Sequence, residues 1–208
     1  MNGDIFANLR LENGHIPRDP VSWWEAGMRD ASMLLQEGIA WHGSEFLDFG
    51  CGPGRLAPHM AFCNYVGLDV NPDSISFAQS RLPGTFYLSE ANNGAYNPKG
   101  VRTSVAMPFL SDSFDGLAAY SVFTHLGLFT EARHYLCECA RVLRTGSKAL
   151  ITFFRSPPNE PSLDPSRTVY PLSDVYTLLE TSGFDVLRTF GGLSGTYDDQ
   201  MHFLLCLV

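Results

Sequence analysis

The sequence predicts an α/β fold, an open and mostly parallel sheet of seven strands flanked by helices. Two observations support this prediction. Short apolar runs alternate with amphipathic stretches along the chain, and this alternation is typical of βαβ units. The last two apolar runs are separated by the turn-like segment GGLSGTYDDQ, which suits a hairpin. We therefore expect an antiparallel strand pair at one edge of the sheet.

The expected strands are the short apolar runs, and turn residues separate them. They cover residues 45–49, 65–69, 86–88, 114–120, 147–154, 184–190 and 202–208. Two long segments predict loops because Asn, Gly and Pro cluster in them. These are residues 91–104 (ANNGAYNPKGVRTS) and the Pro-rich stretch 155–171.

Helices are expected where apolar residues recur at helical spacing. In residues 21–40 one side of the helix carries Trp24, Met28, Ala31, Leu34 and Leu35. A short helix is expected after residue 54, and further helices are expected from 71 to about 82, over 130–143 and over about 172–182. Asn71 stands just before Pro72, as an N-cap residue stands before the first helical position.

Composition favours one globular domain over residues 1–208, because 45% of the chain is hydrophobic. Within that domain, residues 1–44 form an N-terminal helical segment, 91–104 a loop insertion and 155–171 a Pro-rich loop. No apolar stretch approaches the roughly 18 residues of a membrane span, and the start of the chain lacks the order of a secretory signal. We expect a cytoplasmic protein with reduced cysteines and no membrane partner.

The net charge of −8 argues against nucleic acid as a partner, because phosphate binding needs a basic surface. We also expect no metal site. The histidines other than His125 lack carboxylate or cysteine partners at ligand spacing, and Cys137 and Cys139 point to different faces of a helix.

The strongest motif is FLDFGCGPGRL, in which a buried strand ends at Asp48 and glycines follow at 50, 52 and 54. Ligands of open α/β sheets bind outside the carboxyl ends of the strands, and glycines let a backbone approach a ligand closely. The next strand ends in Asp69, whose carboxylate can accept two hydrogen bonds from a ribose diol. Together these features predict an adenosine-ribose site. The alternative is a tight turn without a ligand, with Asp69 capping the next helix.

The glycine spacing indicates whether the expected adenosine ligand carries phosphates. A dinucleotide site requires G-x-G-x-x-G, but Arg55 stands at the third glycine position. The lysine-containing G-x-x-x-x-G-K-[ST] loop for phosphates is also missing from the sequence. The ligand is therefore expected to be an adenosine without phosphates.

With these features, the sequence resembles the class I S-adenosylmethionine-dependent methyltransferases from about residue 45 to 155. The resemblance implies a Rossmann-like sheet and S-adenosylmethionine as cofactor. Motif DFGCGPG resembles the loop that holds the methionine portion, and Asp69 matches the ribose-binding acid, with Val70 next to it. The loop residues that the resemblance assigns to the cofactor are Asp48, Phe49, Gly50, Cys51, Gly52 and Gly54. Asp48 is open to a second interpretation, in which it accepts hydrogen bonds from loop amides.

The adenine contact departs from the usual family pattern, because no acid precedes Met107-Pro108-Phe109 directly. Glu90-Ala91 closes the third strand instead, and Y-N-P-x-G followed by S-V-F-T-H resembles a bacterial subgroup with an insertion here. The resemblance therefore assigns the adenine amino group to Glu90, and it places Ala91 among the cofactor-binding residues. In the alternative, a backbone carbonyl serves and Glu90 is a solvated surface acid.

The reacting centre is expected at the end of the fourth strand. Tyr120 and Ser121 end this strand, where backbone groups face the methionine portion, although Tyr120 suits the core equally well. His125 follows on the same side and is the candidate general base. The alternative for His125 is that it caps or packs in the next turn.

The acceptor is expected to be a small molecule, bound by loops around the cofactor. Its rim is expected to include Trp23, Trp24, Tyr96 and Tyr170, although paired tryptophans serve equally well in helix packing. Methyl transfer needs mainly alignment of nucleophile, methyl and sulfur. Two other functions stay open at this point, a non-catalytic scaffold with a methyltransferase-like fold and a nicotinamide oxidoreductase.

Overall fold

A seven-stranded sheet organises the protein. The computed structural model describes residues 20–94, 96–100, 104–154, 168–191 and 200–208. The strands lie in the order β3 (Thr85–Leu88), β2 (Asn64–Asp69), β1 (Glu45–Phe49), β4 (Phe114–Ala119), β5 (Leu143–Phe154), β7 (Gln200–Leu207) and β6 (Phe184–Gly191). Strands β1 to β5 pair in parallel, whereas β7 is antiparallel to both of its neighbours. The predicted mostly parallel sheet with an antiparallel terminal pair is confirmed.

The elements follow the predicted order. The strands are β1 (Glu45–Phe49), β2 (Asn64–Asp69), β3 (Thr85–Leu88), β4 (Phe114–Ala119), β5 (Leu143–Phe154), β6 (Phe184–Gly191) and β7 (Gln200–Leu207). The α-helices are α1 (Pro20–Gln36), α2 (Pro72–Arg81), α3 (Phe129–Val142) and α4 (Leu172–Thr181). Two single-turn 3₁₀ helices cover Ala57–His59 and Phe123–His125.

Helix α1 ends four residues earlier than the sequence predicts. Gly38 adopts a φ of 64°, and the Ile39 amide donates to the Leu34 carbonyl at 2.9 Å. This hydrogen bond across the last turn is typical of a glycine-terminated helix. The chain then turns, and Ile39 is buried in one apolar cluster with Leu34 of α1 and Phe46 of the sheet.

Strand β5 is longer than predicted, because it begins at Leu143 rather than near Ser147. Its pairing with β4 shifts register between Phe114 and Gly116. Gly146 takes a φ of 81° in this stretch, a conformation that glycine adopts without strain. Residues 144–146, which lie between the predicted helix and the predicted strand, thus belong to an irregular first part of β5.

Two apolar layers cover the two faces of the sheet. The larger layer packs α3 and α4 against β4, β5 and β7, with Leu117, Leu136 and Phe203 fully buried. The smaller layer packs α1, the first 3₁₀ helix and α2 against β1 and β2, with Leu34 and Phe46 at its centre. Because all seven strands share one sheet, the carboxyl ends of the parallel strands meet at a single edge.

Some predicted segments lie partly outside the described residues. These are positions 1–19 of the N-terminal segment, 95 and 101–103 of the insertion, 155–167 of the Pro-rich loop and 192–199 of the terminal turn. Over the part of the chain that the structure describes, no helix is long and apolar enough to cross a membrane.

Candidate active site

The glycine loop joins β1 to the first 3₁₀ helix and bends sharply over the end of β2. Gly50, Gly52 and Gly54 all have positive φ, at 77°, 53° and 83°. The amides of Gly50 and Cys51 donate to the Leu68 carbonyl of β2, at 2.7 and 3.2 Å. The loop is therefore fixed to the neighbouring strand by its own backbone.

The three glycines differ in what surrounds them. A Cβ at Gly50 would lie 2.2 Å from Val122 Cγ2, and a Cβ at Gly54 would lie 2.6 Å from Leu82 Cδ1. A Cβ at Gly52 would meet nothing within 4 Å. Gly50 and Gly54 are thus required by the packing of the protein itself, whereas Gly52 borders open space at the carboxyl edge.

Asp69 at the end of β2 holds the loop from the other side. Its Oδ2 accepts a hydrogen bond from the Gly52 amide at 2.7 Å, and its Oδ1 accepts one from the Asn71 amide at 2.7 Å. The helix cap next to it is supplied by Asn71, whose side chain accepts from the amides of Asp73 and Ser74. Asp69 is therefore not the cap of α2, and its half-buried carboxylate lies beside Gly52.

Asp48 at the end of β1 is 3% exposed. Its partner is the Tyr65 hydroxyl, which donates to Oδ2 at 2.5 Å. The expected loop amides are bonded elsewhere, to Leu68, Cys51 and Asp69, so this interpretation of Asp48 is corrected. Burial raises the pKa of the Asp48 carboxyl to about 7, although the Tyr65 hydrogen bond and the Arg55 charge act against the rise.

A buried charged layer lies beneath the loop, and the sequence did not point to it. Arg55 Nη2 is 2.7 Å from Asp30 Oδ2 on α1, and the guanidinium carbon is 5.5 Å from the centre of the Tyr120 ring. His202 on β7 is buried next to Tyr120, and burial lowers the pKa of its imidazole to about 4. Asp30 lies on the buried side of α1 with Trp23 and Leu34, whereas Met28 and Leu35, which the sequence had placed on the apolar side, are 48% and 50% exposed.

Tyr120 and Ser121, which follow β4, lie in different environments, one apolar and one polar. The Tyr120 ring packs in the smaller core layer, and its buried hydroxyl has no hydrogen-bond partner among the described residues. Ser121 takes a φ of 59°, which is sparsely populated for a residue with a Cβ. The Thr152 hydroxyl accepts from the Ser121 amide at 2.8 Å, and the Gln200 amide group donates to the Ser121 hydroxyl at 2.8 Å.

Glu90 and Ala91 follow β3 at the same edge. The Glu90 side chain is exposed, whereas Ala91 is buried. Ala91 begins a compact segment, because its carbonyl accepts from the Asn97 side-chain amide at 3.1 Å. Asn93 and Asn97 exchange two backbone hydrogen bonds. The described part of the insertion thus contains a folded turn that begins next to the candidate adenine contact.

His125 and Tyr96 are brought together from two separate segments. The Tyr96 hydroxyl is 3.3 Å from His125 Nε2, and the two rings meet edge to face with centroids 5.3 Å apart. Both side chains are half-buried. The sequence had placed these residues separately, one as a base and the other on the rim.

Two of the four rim candidates are buried, which corrects their assignment. Trp23 is 3% exposed on the inner side of α1. Tyr170 is 8% exposed within the larger core layer, and its hydroxyl donates to the Leu126 carbonyl at 2.7 Å. Trp24 is half-buried and packs on the His59 ring with centroids 4.4 Å apart. Both tryptophans thus serve in helix packing. Tyr96 is the rim candidate that contacts another candidate site residue, His125.

No group of three or more His, Cys, Asp or Glu side chains within the described ranges could hold a metal ion. All five cysteines are free.

Comparison with known proteins decides the family. A family model described as a methyltransferase domain matches residues 47–151. The O-methyltransferase rstn1 of Aspergillus nomiae is 30% identical over 172 residues, which cover 74% of this chain and 72% of that protein. The chain belongs to the methyltransferase domain family.

This methyltransferase is also similar to a probable S-adenosylmethionine-dependent methyltransferase of Mycolicibacterium smegmatis, with 28% identity over 165 residues. That match covers 74% of this chain and 56% of the relative. Among solved structures, magnesium protoporphyrin IX methyltransferase (ChlM) of Synechocystis PCC 6803 with bound SAH shares the fold. Its TM-score is 0.65 at 18% identity, and the match covers 100% of this chain and 96% of that chain.

The methyltransferase uses S-adenosylmethionine as its cofactor, as the family match indicates. The glycine loop suits this cofactor, because Gly52 leaves open space next to the half-buried Asp69 carboxylate. A side chain at Gly52 would enter this space. The loop thus leaves open space at the carboxyl edge, where ligands of such sheets bind.

Proposed function

We propose that this methyltransferase transfers the methyl group to a hydroxyl of a small-molecule acceptor by direct displacement. The observation that carries this proposal is the pairing of His125 with Tyr96 at the edge of the sheet where the glycine loop lies. A phenol hydroxyl and an imidazole can both take part in moving the proton of a hydroxyl. The similarity to a relative named as an O-methyltransferase supports the choice of oxygen as nucleophile.

The cofactor contacts follow from the positions of the residues around the loop. We assign the ribose diol to the Asp69 carboxylate and the methionine portion to the backbone from Phe49 to Gly54, with Ser121 opposite. We assign the adenine to Val70 and to the Glu90-Ala91 pair. We assign Asp48 and Tyr120 a supporting role beneath the loop, because the Asp48 carboxyl and the Tyr120 hydroxyl are buried.

S-adenosylmethionine supplies a methyl group on a sulfonium, an activated electrophile. The protein therefore contributes mainly by aligning the two reactants. In such displacements, alignment lowers the activation barrier by a large share. An un-ionised hydroxyl loses its proton as it attacks, so a base contributes further. We assign this base to His125, held in the 3₁₀ helix that follows β4.

A small acceptor fits the charge of the protein better than nucleic acid does. The net charge is −8, and Arg55, Arg141 and Arg188 are each paired with a carboxylate. A polyanion would gain little from cations already paired. The described rim at Tyr96 is a short folded turn, which suits contact with a compact molecule.

The test has two stages. Calorimetric titration with SAH, with NADH as the control ligand, measures cofactor choice, and we expect micromolar binding of SAH alone. Incubation with methyl-labelled S-adenosylmethionine and a panel of phenols, alcohols, amines and thiols then measures acceptor choice. Methylation of phenols or alcohols supports the proposal. Methylation of amines or thiols alone contradicts it, and SAH binding without transfer to any member favours the non-catalytic scaffold.

A further inference from the structure

We propose that Tyr96 is the catalytic residue that contacts the acceptor hydroxyl, and that it relays the proton to His125. This inference rests on the proposed function and deepens it, because it assigns a residue of the insertion to the chemistry. The inference follows from which ring nitrogen of His125 contacts Tyr96. The Tyr96 hydroxyl lies 3.3 Å from Nε2, so the tyrosine oxygen is placed to pass a proton to this nitrogen.

A tyrosine hydroxyl suits this role because it donates one hydrogen bond and accepts others. With the Tyr96 proton donated to His125 Nε2, the tyrosine oxygen presents lone pairs to an incoming O–H group. The imidazole proton is then on Nδ1. The pair moves the proton-accepting atom from His125 Nε2, on the residue that the 3₁₀ helix carries, to the Tyr96 oxygen, which lies 3.3 Å away.

Both members of the pair are held by hydrogen bonds within their own segments. Asn93 Oδ1 accepts from the Tyr96 amide at 3.2 Å, and Asn93 and Asn97 close the turn by two backbone hydrogen bonds. Asn92 Nδ2 donates to the carbonyls of Pro98 and Gly100, at 3.1 and 3.0 Å. Hydrogen bonds made by Asn92, Asn93 and Asn97 thus fix the backbone that carries Tyr96.

The His125 side is anchored in the same manner. The His125 amide donates to the Val122 carbonyl at 2.9 Å, and the Thr124 hydroxyl donates to the Ser121 carbonyl at 2.7 Å. The buried Tyr170 hydroxyl donates to the next carbonyl, that of Leu126, at 2.7 Å. Proton transfer benefits from groups that are positioned before the reaction, and the two anchored segments provide this.

The proposed step balances. The acceptor oxygen forms a bond to the methyl carbon as the methyl–sulfur bond breaks and its electron pair stays on sulfur. The acceptor proton moves to the Tyr96 oxygen, and the Tyr96 proton moves to His125 Nε2. The products are a methyl ether, SAH and an imidazolium, which then returns its proton to solvent, and Tyr96 ends the step as it began.

The experiment compares two acceptor probes that differ in their need for a base. Phenol is un-ionised near pH 8, because its hydroxyl titrates near 10 as that of tyrosine does, whereas 4-nitrophenol is largely ionised there. For phenol, Tyr96→Phe is expected to lower kcat roughly 100-fold, within the range of general-base effects. For 4-nitrophenol the same variant should lose less than about threefold. Tyr87→Phe, which removes a hydroxyl from an exposed tyrosine on β3, is the matched control and should match the wild-type protein.

A second variant separates a relay from two independent contributions. In a relay, Tyr96→Phe combined with His125→Ala is no slower on phenol than the slower single variant, because both changes interrupt one path. Calorimetric binding of phenol to the SAH-saturated protein gives a readout other than turnover, and Tyr96→Phe should weaken it severalfold. Multiplying losses in the double variant, or equal losses on both probes, would overturn the relay while leaving O-methylation standing. If the wild-type protein binds SAH but methylates neither phenol, the proposed function fails on these acceptors and the relay fails with it.

Discussion

The Tyr65 hydroxyl on β2 donates a 2.5 Å hydrogen bond to the buried Asp48 carboxylate on β1. The two residues lie on adjacent strands, on the face covered by the smaller core layer. Arg55 favours the ionised carboxylate, whereas Asp69 and Asp30 oppose it. Burial is the largest effect, and the carboxyl has a pKa of about 7.

This raised pKa predicts how stability changes with pH. An unfolded aspartate titrates near 4, so between about pH 4 and pH 7 the folded protein holds a proton that the unfolded chain has lost. Stability from this group is therefore present at low pH and is lost as pH rises through about 7. Asp48→Asn stays neutral and keeps an acceptor for Tyr65. We expect its unfolding free energy, relative to that of the wild-type protein, to increase between pH 5 and pH 8 in urea titrations.

The control for this prediction is Asp185→Asn, which removes an exposed carboxylate on β6. Its stability difference from the wild-type protein should change little over the same range. Since both variants are compared with the wild-type protein, contributions from other groups such as His202 cancel. Parallel pH curves for Asp48→Asn and the wild-type protein would contradict the assignment.

Gly50 and Gly52 are predicted to respond differently to the same substitution. In Gly50→Ala the new Cβ would lie 2.2 Å from Val122 Cγ2 at a φ of 77°, so we expect a loss of roughly 2–4 kcal/mol in stability. In Gly52→Ala the Cβ meets nothing within 4 Å. That variant should lose only about 1–2 kcal/mol from its positive φ, but its SAH affinity should fall about tenfold or more as the methyl enters the ligand space.

Gly146→Ala is the matched control for Gly52→Ala. Gly146 also has a positive φ with no atom within 4 Å of a Cβ, and it lies at the start of β5, at the opposite edge of the sheet. Its loss in stability should be similar, and its SAH affinity should equal that of the wild-type protein. Thermal unfolding and calorimetry measure the two quantities. Equal SAH affinities for the Gly52 and Gly146 variants would show that the open space does not bind the cofactor.

The order and type of the elements could be predicted from sequence because they depend on local periodicity and turn residues. The N-cap at Asn71 was read from three consecutive residues, and the structure confirms it. The early end of α1 was missed although it depends on one residue, Gly38, because the apolar residues Ile39 and Ala40 continue the pattern expected of the helix.

The partners of the site residues could not be predicted, because they are far apart in sequence. Asp48 and Tyr65 are separated by 17 positions, and Tyr96 and His125 by 29. Their contacts depend on the register of β1 on β2 and on the fold of the insertion, and local patterns do not encode either. The buried position of Tyr170 was missed for the same reason, since the Pro-rich residues before it predict an exposed loop.

Asp69→Ala is predicted to weaken cofactor binding and to loosen the loop. A charged acceptor contributes about 1.5–3 kcal/mol per hydrogen bond, so the loss of the ribose contact should lower SAH affinity roughly 10- to 100-fold. Because Asp69 also accepts from the amides of Gly52 and Asn71, we expect a stability loss of about 1–3 kcal/mol as well.

The 2′-deoxy analogue of SAH separates these two effects. The wild-type protein should bind the analogue more weakly than SAH, because one ribose hydroxyl is missing. Asp69→Ala should bind the two ligands nearly equally, since the group that distinguishes them is gone. A variant that still prefers SAH by the wild-type factor would show that Asp69 acts only through the loop.

Glu90 is predicted to accept a hydrogen bond from the adenine amino group. Its side chain is exposed at the end of β3, so the contact would be partly solvated, and Glu90→Ala should lower SAH affinity only about three- to tenfold. The inosine analogue of SAH carries oxygen in place of the amino group, and it should bind the wild-type protein less well than SAH. If Glu90 makes the contact, Glu90→Ala loses this preference. If the preference persists in Glu90→Ala, the contact to the amino group comes from a backbone carbonyl and Glu90 is a solvated surface acid.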